Sequence, residues 1–375
     1  VAAALRDDAR FSADRRRARR GGSERDAAAG TSVAAARSGS ERTNGTEAIR
    51  VVASDPPECL AARALLNDAL VPKVRAIGPR VDALVDELLR ELVRRGGGGA
   101  VDLVEDFAYA LPIRVIAELL DVPHGERARF QELSRAIARG MDRFYGGGDV
   151  KNGLADIGAW FFGLLPERRA RAARVAAGEA SGDDADVMTR LLCAERGGDR
   201  LSDLEVVAMC TALVFGGHET TVNLIASGTL ALLRHPAELE RLRVQPELLP
   251  TAVEELLRWD SPPQFVSRVV ADDTELGGAT LRGGDSVLVG IGAANRDPAA
   301  FDAPDRLDVG RTPNAHVAFG LGTHFCPGAQ LSRVEARAAL GALVARFPDR
   351  RLAGEPEWRP TFVLRGLERL PVRID

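Results

Sequence analysis

Phe319-Gly320-Leu321-Gly322-Thr323-His324-Phe325-Cys326-Pro327-Gly328 is the stretch on which the fold turns. Its glycines, Gly320, Gly322 and Gly328, permit positive backbone angles or close backbone approach, and Pro327 suits the first position of a following helix. Leu331, Val334 and Leu340 give that helix an apolar face. Cys326 therefore falls at a helix N-terminus, where free amide hydrogens and the positive end of the helix dipole favour thiolate over thiol. On these residues alone two readings stand: a thiolate cradled to ligate a metal, or the ordinary fate of a lone cysteine as a small buried hydrophobe.

About a hundred residues upstream, Ser202 and Glu205 form an S-x-x-E capping box that opens a helix expected to run to Arg234, just before His235 and Pro236. At about 1.5 Å per residue such a helix is roughly 48 Å long, enough to cross a whole domain. Its middle, Phe215-Gly216-Gly217-His218-Glu219-Thr220-Thr221, is unusual. Two interior glycines cost roughly 1 kcal/mol each against alanine, which implies close approach to the backbone. Thr220 lies four residues after Gly216, so its hydroxyl can take the Gly216 carbonyl and hold the helix locally open. The plainer alternative is a small-residue helix crossing with a solvated Glu219.

The remaining chain sets bounds. With 375 residues, 45% of them hydrophobic, it can bury a large core. A net charge of -4 offers no basic field for nucleic acid or an anionic membrane surface. Cys59, Cys193, Cys210 and Cys326 lie far apart, which speaks against a disulfide framework or zinc knuckle and for a reducing, cytoplasmic setting. No apolar run reaches the roughly 18 residues that span a bilayer. Residues 13–46, rich in Arg, Ser, Gly and Ala, read as an exposed connection, and the Asn44-Gly45-Thr46 sequon within it as accidental. Val81, Leu84, Val85, Leu88 and Leu89 predict a helix between Val74 and Val93, ended by the glycines from Gly96. Another helix follows Pro112 and runs past Ile116 and Leu120. Gly146 to Gly148 read as a turn, since no Lys-Ser/Thr ending makes them a phosphate cradle. Short strands are expected at Phe265–Val270, Ser286–Ile291 and Phe362–Leu364.

The cysteine stretch closely resembles the F-x-x-G-x-x-x-C-x-G heme signature of the cytochrome P-450 family, with Phe319, Gly322, Cys326 and Gly328 in register. Gly216 to Thr221 resembles that family's A/G-G-x-D/E-T-T oxygen-activation motif. Glu255 and Arg258 resemble its E-x-x-R pair, and Pro304-Asp305-Arg306-Leu307 its P-E/D-R-F segment. The resemblance covers Leu5 to Asp375, and Ala4 to Ser12 looks like the family's second helix and its exit. It implies a mainly α fold with small β-sheets (α+β): one large domain, 1–375, around a long central helix. Family members begin several dozen residues earlier, so a start lacking the first helix and strands is expected.

By the same resemblance the cofactor is heme b, iron protoporphyrin IX, with Cys326 as iron ligand and Phe319, Gly320 and Gly328 around it. Arg63, Arg268 and His316 would meet the propionates. Arg63 usually belongs to an H-x-x-x-R pair, and here Asp55-Pro56-Pro57-Glu58 leads into Cys59 where histidine is usual, which removes one donor. Glu255, Arg258 and Arg306 are expected to form a structural clamp. Glu219 would relay protons and Thr220 would assist cleavage of the oxygen-oxygen bond. Ala212, Phe215, Gly216, Phe265, Val266, Val363 and Leu364 should line a mostly apolar substrate pocket.

The implied activity is monooxygenation of a small organic molecule by O2, by hydroxylation or epoxidation, in natural-product tailoring. Electrons would come from a separate ferredoxin or flavodoxin with its NAD(P)H-dependent reductase, docking near Arg63, Arg333 and Arg337. A peroxide-driven peroxygenase and a heme-binding protein without turnover are the competing readings.

Overall fold

The computed structural model describes residues 1–14, 54–97, 99–145, 151–196 and 198–374. The connection at 15–46, its sequon and the 146–148 glycines lie outside the described residues.

The chain opens with α1 (Ala2–Arg6) and β1 (Phe11–Ser12). Then come α2 (Glu58–Ala76), α3 (Gly78–Gly96), β2 (Ala100–Asp102) and α4 (Ala110–Leu119). The apolar spacing read between Val74 and Val93 belongs to α3, whose Val81, Leu84, Val85, Leu88, Leu89 and Leu92 are all buried. Gly97 ends it in the left-handed conformation, φ 51°, which glycine adopts without Cβ strain. Helices α5 (Arg127–Tyr145), α6 (Lys151–Ala176) and α7 (Val187–Cys193) lead through the hairpin β3 (Glu195–Arg196) and β4 (Asp199–Arg200) into the central region.

There the expected single long helix is two: α8 (Asp203–Gly217) and α9 (Glu219–Arg234), separated at His218, whose ψ of -73° departs from helical values. The Ser202–Glu205 capping box is formed in both directions. Helix α9 is buried along nearly its whole length, since only a helix surrounded by protein can carry Val222, Leu224, Ile225 and Ala226 on every side.

After α10 (Pro236–Val244) and α11 (Leu249–Trp259) come β5 (Phe265–Val270), the hairpin β6 (Thr274–Leu276) and β7 (Ala279–Leu281), β8 (Ser286–Gly290) and α12 (Ile291–Ala294). Last are α13 (Ala329–Arg346), β9 (Arg351–Leu352), β10 (Glu357–Trp358), β11 (Leu367–Arg369) and β12 (Pro371–Arg373). The sheets are small and antiparallel: β1-β5-β8, β2-β12-β9, and three two-stranded hairpins including β10-β11. The strand expected at Phe362–Leu364 reduces to one bridge, Leu364 to Pro263. Helix α9 packs against α13, α11 and the turn at Val104–Ala108, so the broken region lies at the centre of the helical layer.

Candidate functional site

Cys326 is fixed by backbone hydrogen bonds before any side chain acts. Its amide donates to the Phe319 carbonyl (2.9 Å), closing the loop, and the Phe325 amide donates to Gly322 (3.1 Å). Gly320 and Gly322 have φ of 71° and 70°. At Gly322 a Cβ would also fall 3.0 Å from the Leu5 carbonyl, so the loop seats on α1 only because the residue is glycine. Helix α13 starts at Ala329 with Gly328 as its cap. Pro327 thus precedes the cap instead of taking the first helical position, and Cys326 stands two residues further out than the sequence suggested.

The thiol's electrostatics also differ from that expectation. Burial pushes Cys326 up, against the pull of the Gly328 and Ala329 amides and the charges of Arg63 and Arg333. In the bare chain desolvation wins. A bound metal cation reverses that balance, because a coordinating thiol loses its proton outright. Donor chemistry and surroundings therefore fit a metal held by one sulfur in an apolar seat: Phe319 stacks at an angle to Phe325 (centroids 6.2 Å apart), and Phe325 remains 41% exposed beside the sulfur.

Arg63 reaches the loop by donating to the Phe325 carbonyl, although Cys59 has taken the place of its expected partner. Cys59 is fully buried, and desolvation raises its thiol, so it is a core residue. Arg268 on β5 is 8% exposed. His316 is held by two protein partners. Its Nδ1 accepts from the Ala318 amide (3.2 Å), so Nε2 carries the proton and donates to Glu254 (3.0 Å). Arg333 is likewise committed, forming two 2.7 Å bonds to Glu254 and lying 4.7 Å over the Phe319 ring. Burial would raise Glu254, but the hydrogen bonds from Arg333 and His316 outweigh it and hold the carboxyl at about 2. Arg333 is therefore not an uncommitted cation for an acidic partner.

Across α13, Thr221 on α9 donates to Ser332 (3.4 Å), which ties the broken helix to the helix following Cys326. The break has the form inferred from spacing: Thr220 donates to the Gly216 carbonyl at 2.7 Å. A Cβ on Gly216 would meet nothing within 4 Å, whereas one on Gly217 would touch Ile116 at 3.2 Å. One glycine therefore opens space and its neighbour permits packing. His218 pins the break, accepting from Ser134 at Nδ1 (2.7 Å) and donating from Nε2 to the Tyr109 carbonyl (3.1 Å). Burial drives its pKa down to about 4, so it is neutral and the tautomer is fixed by these partners.

Glu219 is 2% exposed and pairs with Arg359, whose Nε also pairs with Glu368 (3.2 Å). Sequence reasoning missed Arg359, which lies 140 positions away with no local signal. Of the expected pocket residues, Ala212, Phe215, Phe265 and Val266 are half-buried and Gly216 exposed, while Val363 and Leu364 are buried. The exposed apolar residue of that segment is Phe362, stacked on Phe265 at 4.8 Å, which was also missed.

The expected clamp is corrected in one member. Glu255 and Arg258, both 0% exposed, are joined by bonds of 2.7 and 2.8 Å. The third arginine is Arg311, whose Nε reaches both Glu255 oxygens (3.1 and 3.0 Å). Arg306 has its side chain 70% exposed on Asp308, and only its backbone carbonyl joins the cluster.

A half-buried sulfur in a glycine loop, bonded through its helix to an opened one, suits a metal cofactor that handles a small ligand. The profile of the family described as Cytochrome P450 matches residues 167–357. Over 330 residues the chain is 38% identical to the polyketide biosynthesis cytochrome P450 PksS of Bacillus subtilis, covering 86% of this chain and 77% of that protein. Over 332 residues it is 39% identical to the 6-deoxyerythronolide B hydroxylase of Saccharopolyspora erythraea, with coverage of 86% and 77%. It also superposes on the crystal structure of CYP109E1 from Bacillus megaterium in complex with testosterone, with TM-score 0.81, 31% identity, and 100% of this chain and 91% of that one covered. The chain belongs to the cytochrome P450 family. It is accordingly a monooxygenase that uses heme iron. Among the described residues no helix is long and apolar enough to cross a membrane.

Proposed function

We propose that the chain hydroxylates or epoxidises a small, mostly apolar natural product, with Cys326 holding heme b and the opened turn at Gly216–Thr220 receiving dioxygen. The hydrogen bond from Thr220 to the Gly216 carbonyl, on a helix bonded to the one after Cys326, carries this reading. When bound, heme supplies the reduction of dioxygen and transfer of one oxygen atom, with thiolate donation favouring cleavage of the oxygen-oxygen bond. Arg63 and Arg268 are the cations for its propionates, and Phe319, Gly320 and Gly328 shape its seat. Thr220, whose hydroxyl proton is held by the Gly216 carbonyl, offers its oxygen as an acceptor that orients a proton donor in the opened space, and Glu219 supplies protons there. Ala212, Phe215, Gly216, Phe265 and Val266, with Phe362 added, offer an apolar wall that excludes water and selects an apolar substrate. Residues 1–375 act as one domain. Electrons come from a separate ferredoxin or flavodoxin and its NAD(P)H-dependent reductase.

One named relative serves polyketide biosynthesis, another hydroxylates 6-deoxyerythronolide B, and a structural neighbour holds testosterone. A panel containing 6-deoxyerythronolide B and testosterone tests the substrate class by the shift of the ferric Soret band, followed by product analysis with a ferredoxin, its reductase and NADPH. An oxygenated product that requires O2 and the redox pair is expected. Product from hydrogen peroxide alone, with none from the redox pair, would place the chain among peroxygenases instead.

A further inference from the structure

Glu219, Asn223 and Ser227 follow one another at intervals of four on α9, so they share a helix face and span about 12 Å. All three are buried, at 2%, 1% and 4% exposure. Both polar atoms of Asn223 and the Ser227 hydroxyl have no hydrogen-bond partner among the described residues. Leaving such groups dry costs about 1–3 kcal/mol each, so a row of them on one face calls for water. The row runs under the segment from β10 to β11. Arg359 of that segment pairs with Glu219, and Gly366 sits so tightly over Asn223 that a Cβ there would fall 2.1 Å from the Asn223 Oδ1.

At its far end the row opens. Ser227 lines a surface cavity of about 440 Å³, bounded also by Arg234, His235, Asp260, Gln264, Arg296 and Arg365 among others. Asp260 pairs there with Arg365 (2.8 Å), and burial raises its carboxyl above the usual range. An acid at one end, two polar groups without partners among the described residues along the same face, and a cavity reached by Ser227 at the other end mark a line from solvent toward the broken turn.

We propose that Glu219, Asn223 and Ser227 line a water-filled route that carries protons from this cavity to the acid beside Thr220. This rests on the reading of Glu219 as the proton relay and adds where its protons come from. Each passage takes one proton from solvent at the cavity and delivers one at Glu219, leaving the intervening waters and side chains in their starting charge states. Glu368 and Arg359 face the same acid from the hairpin, but Arg359 donates only. It orients the carboxylate and cannot pass a proton on.

Crystals of the heme-loaded enzyme give the direct readout: ordered waters joining Glu219, Asn223, Ser227 and the cavity are expected, and a dry row sealed by protein contacts would overturn the proposal. In solution, NADPH oxidation without organic substrate, driven through a ferredoxin and its reductase, follows O2 + NADPH + H⁺ → H2O2 + NADP⁺ and needs the same protons. Ser227→Val, alone and with Asn223→Leu, should slow it about tenfold and enlarge its solvent deuterium isotope effect, with an unchanged ferrous-CO spectrum and Ser227→Thr restoring the rate. Unchanged rates and isotope effects in both plugged variants would overturn the route. If Glu219→Gln is itself indifferent, the relay reading falls instead, so the two failures are distinguishable.

Discussion

Two buried glutamates, one on α11 and one on α9, show how differently a carboxylate can be kept inside a protein. Glu255 is saturated: it accepts from Arg258, Arg311, Asn314 and the Asp308 amide, and Arg258 in turn donates to the carbonyls of Asn295 and Pro304. Among the described residues, Glu219 has one cation, Arg359, and shares its helix face with polar groups that have no protein partner. A saturated cluster fixes geometry, because every alternative arrangement loses bonds. An undersupplied row leaves positions for water and for proton traffic. The same residue type is structural in one place and, on the proposed reading, a proton carrier in the other, and the partners distinguish them.

The comparison breaks most visibly at the clamp. Arg258→Leu should destabilise the fold by about 3–5 kcal/mol, measured by chemical denaturation, because it leaves the Glu255 charge buried beside an incomplete partner set. A cost near zero would mean the cluster is not the rigid element described.

His218 sharpens the contrast at the other region. Its folded pKa of about 4 lies below the unfolded 6.5, so the unfolded chain binds more protons in that interval. Its contribution is complete above pH 6.5, falls by about 3 kcal/mol in order of magnitude as pH drops toward 4, and is lost below. His218→Gln should therefore show a shallower fall in stability than wild type over that window. Identical slopes would contradict a buried neutral imidazole.

Glu219→Gln keeps shape and removes the proton carrier. Turnover should drop about a hundredfold with little change in stability, the reverse of the clamp variant. The smallest effect separates two arginines: Arg306→Ala should cost under about 0.5 kcal/mol as an exposed ion pair, whereas Arg311→Ala should cost several times more. Equal costs would restore Arg306 to the clamp.

Much of this was legible in local sequence. Cys326, its glycines and the following helix are set by spacing over ten residues, and the Thr220–Gly216 bond by a separation of four. Legibility ends where partners come from afar. Arg306 and Arg311 share one loop, and only its path, with the Arg306 side chain turned out to Asp308, decides which meets Glu255. The contact between His316 and Glu254 joins positions 62 apart, and no local spacing announces it. The break at His218 depends on Ser134 and Tyr109, roughly a hundred positions earlier, so glycine content announced a distortion but not a divided helix. Residues 362–364 had strand propensity, yet only Leu364 finds a bridge, to Pro263, beside which the Val363 carbonyl accepts from the Gln264 amide.

Every role assigned around the loop depends on the Cys326 sulfur holding the iron. The carbon monoxide difference spectrum of reduced Cys326→His, compared with wild type, tests this most directly. Wild type should show the red-shifted band of thiolate ligation, and the variant should retain pigment while its band moves to the position of imidazole ligation. A red-shifted band that persists in the variant would show that another group binds the metal.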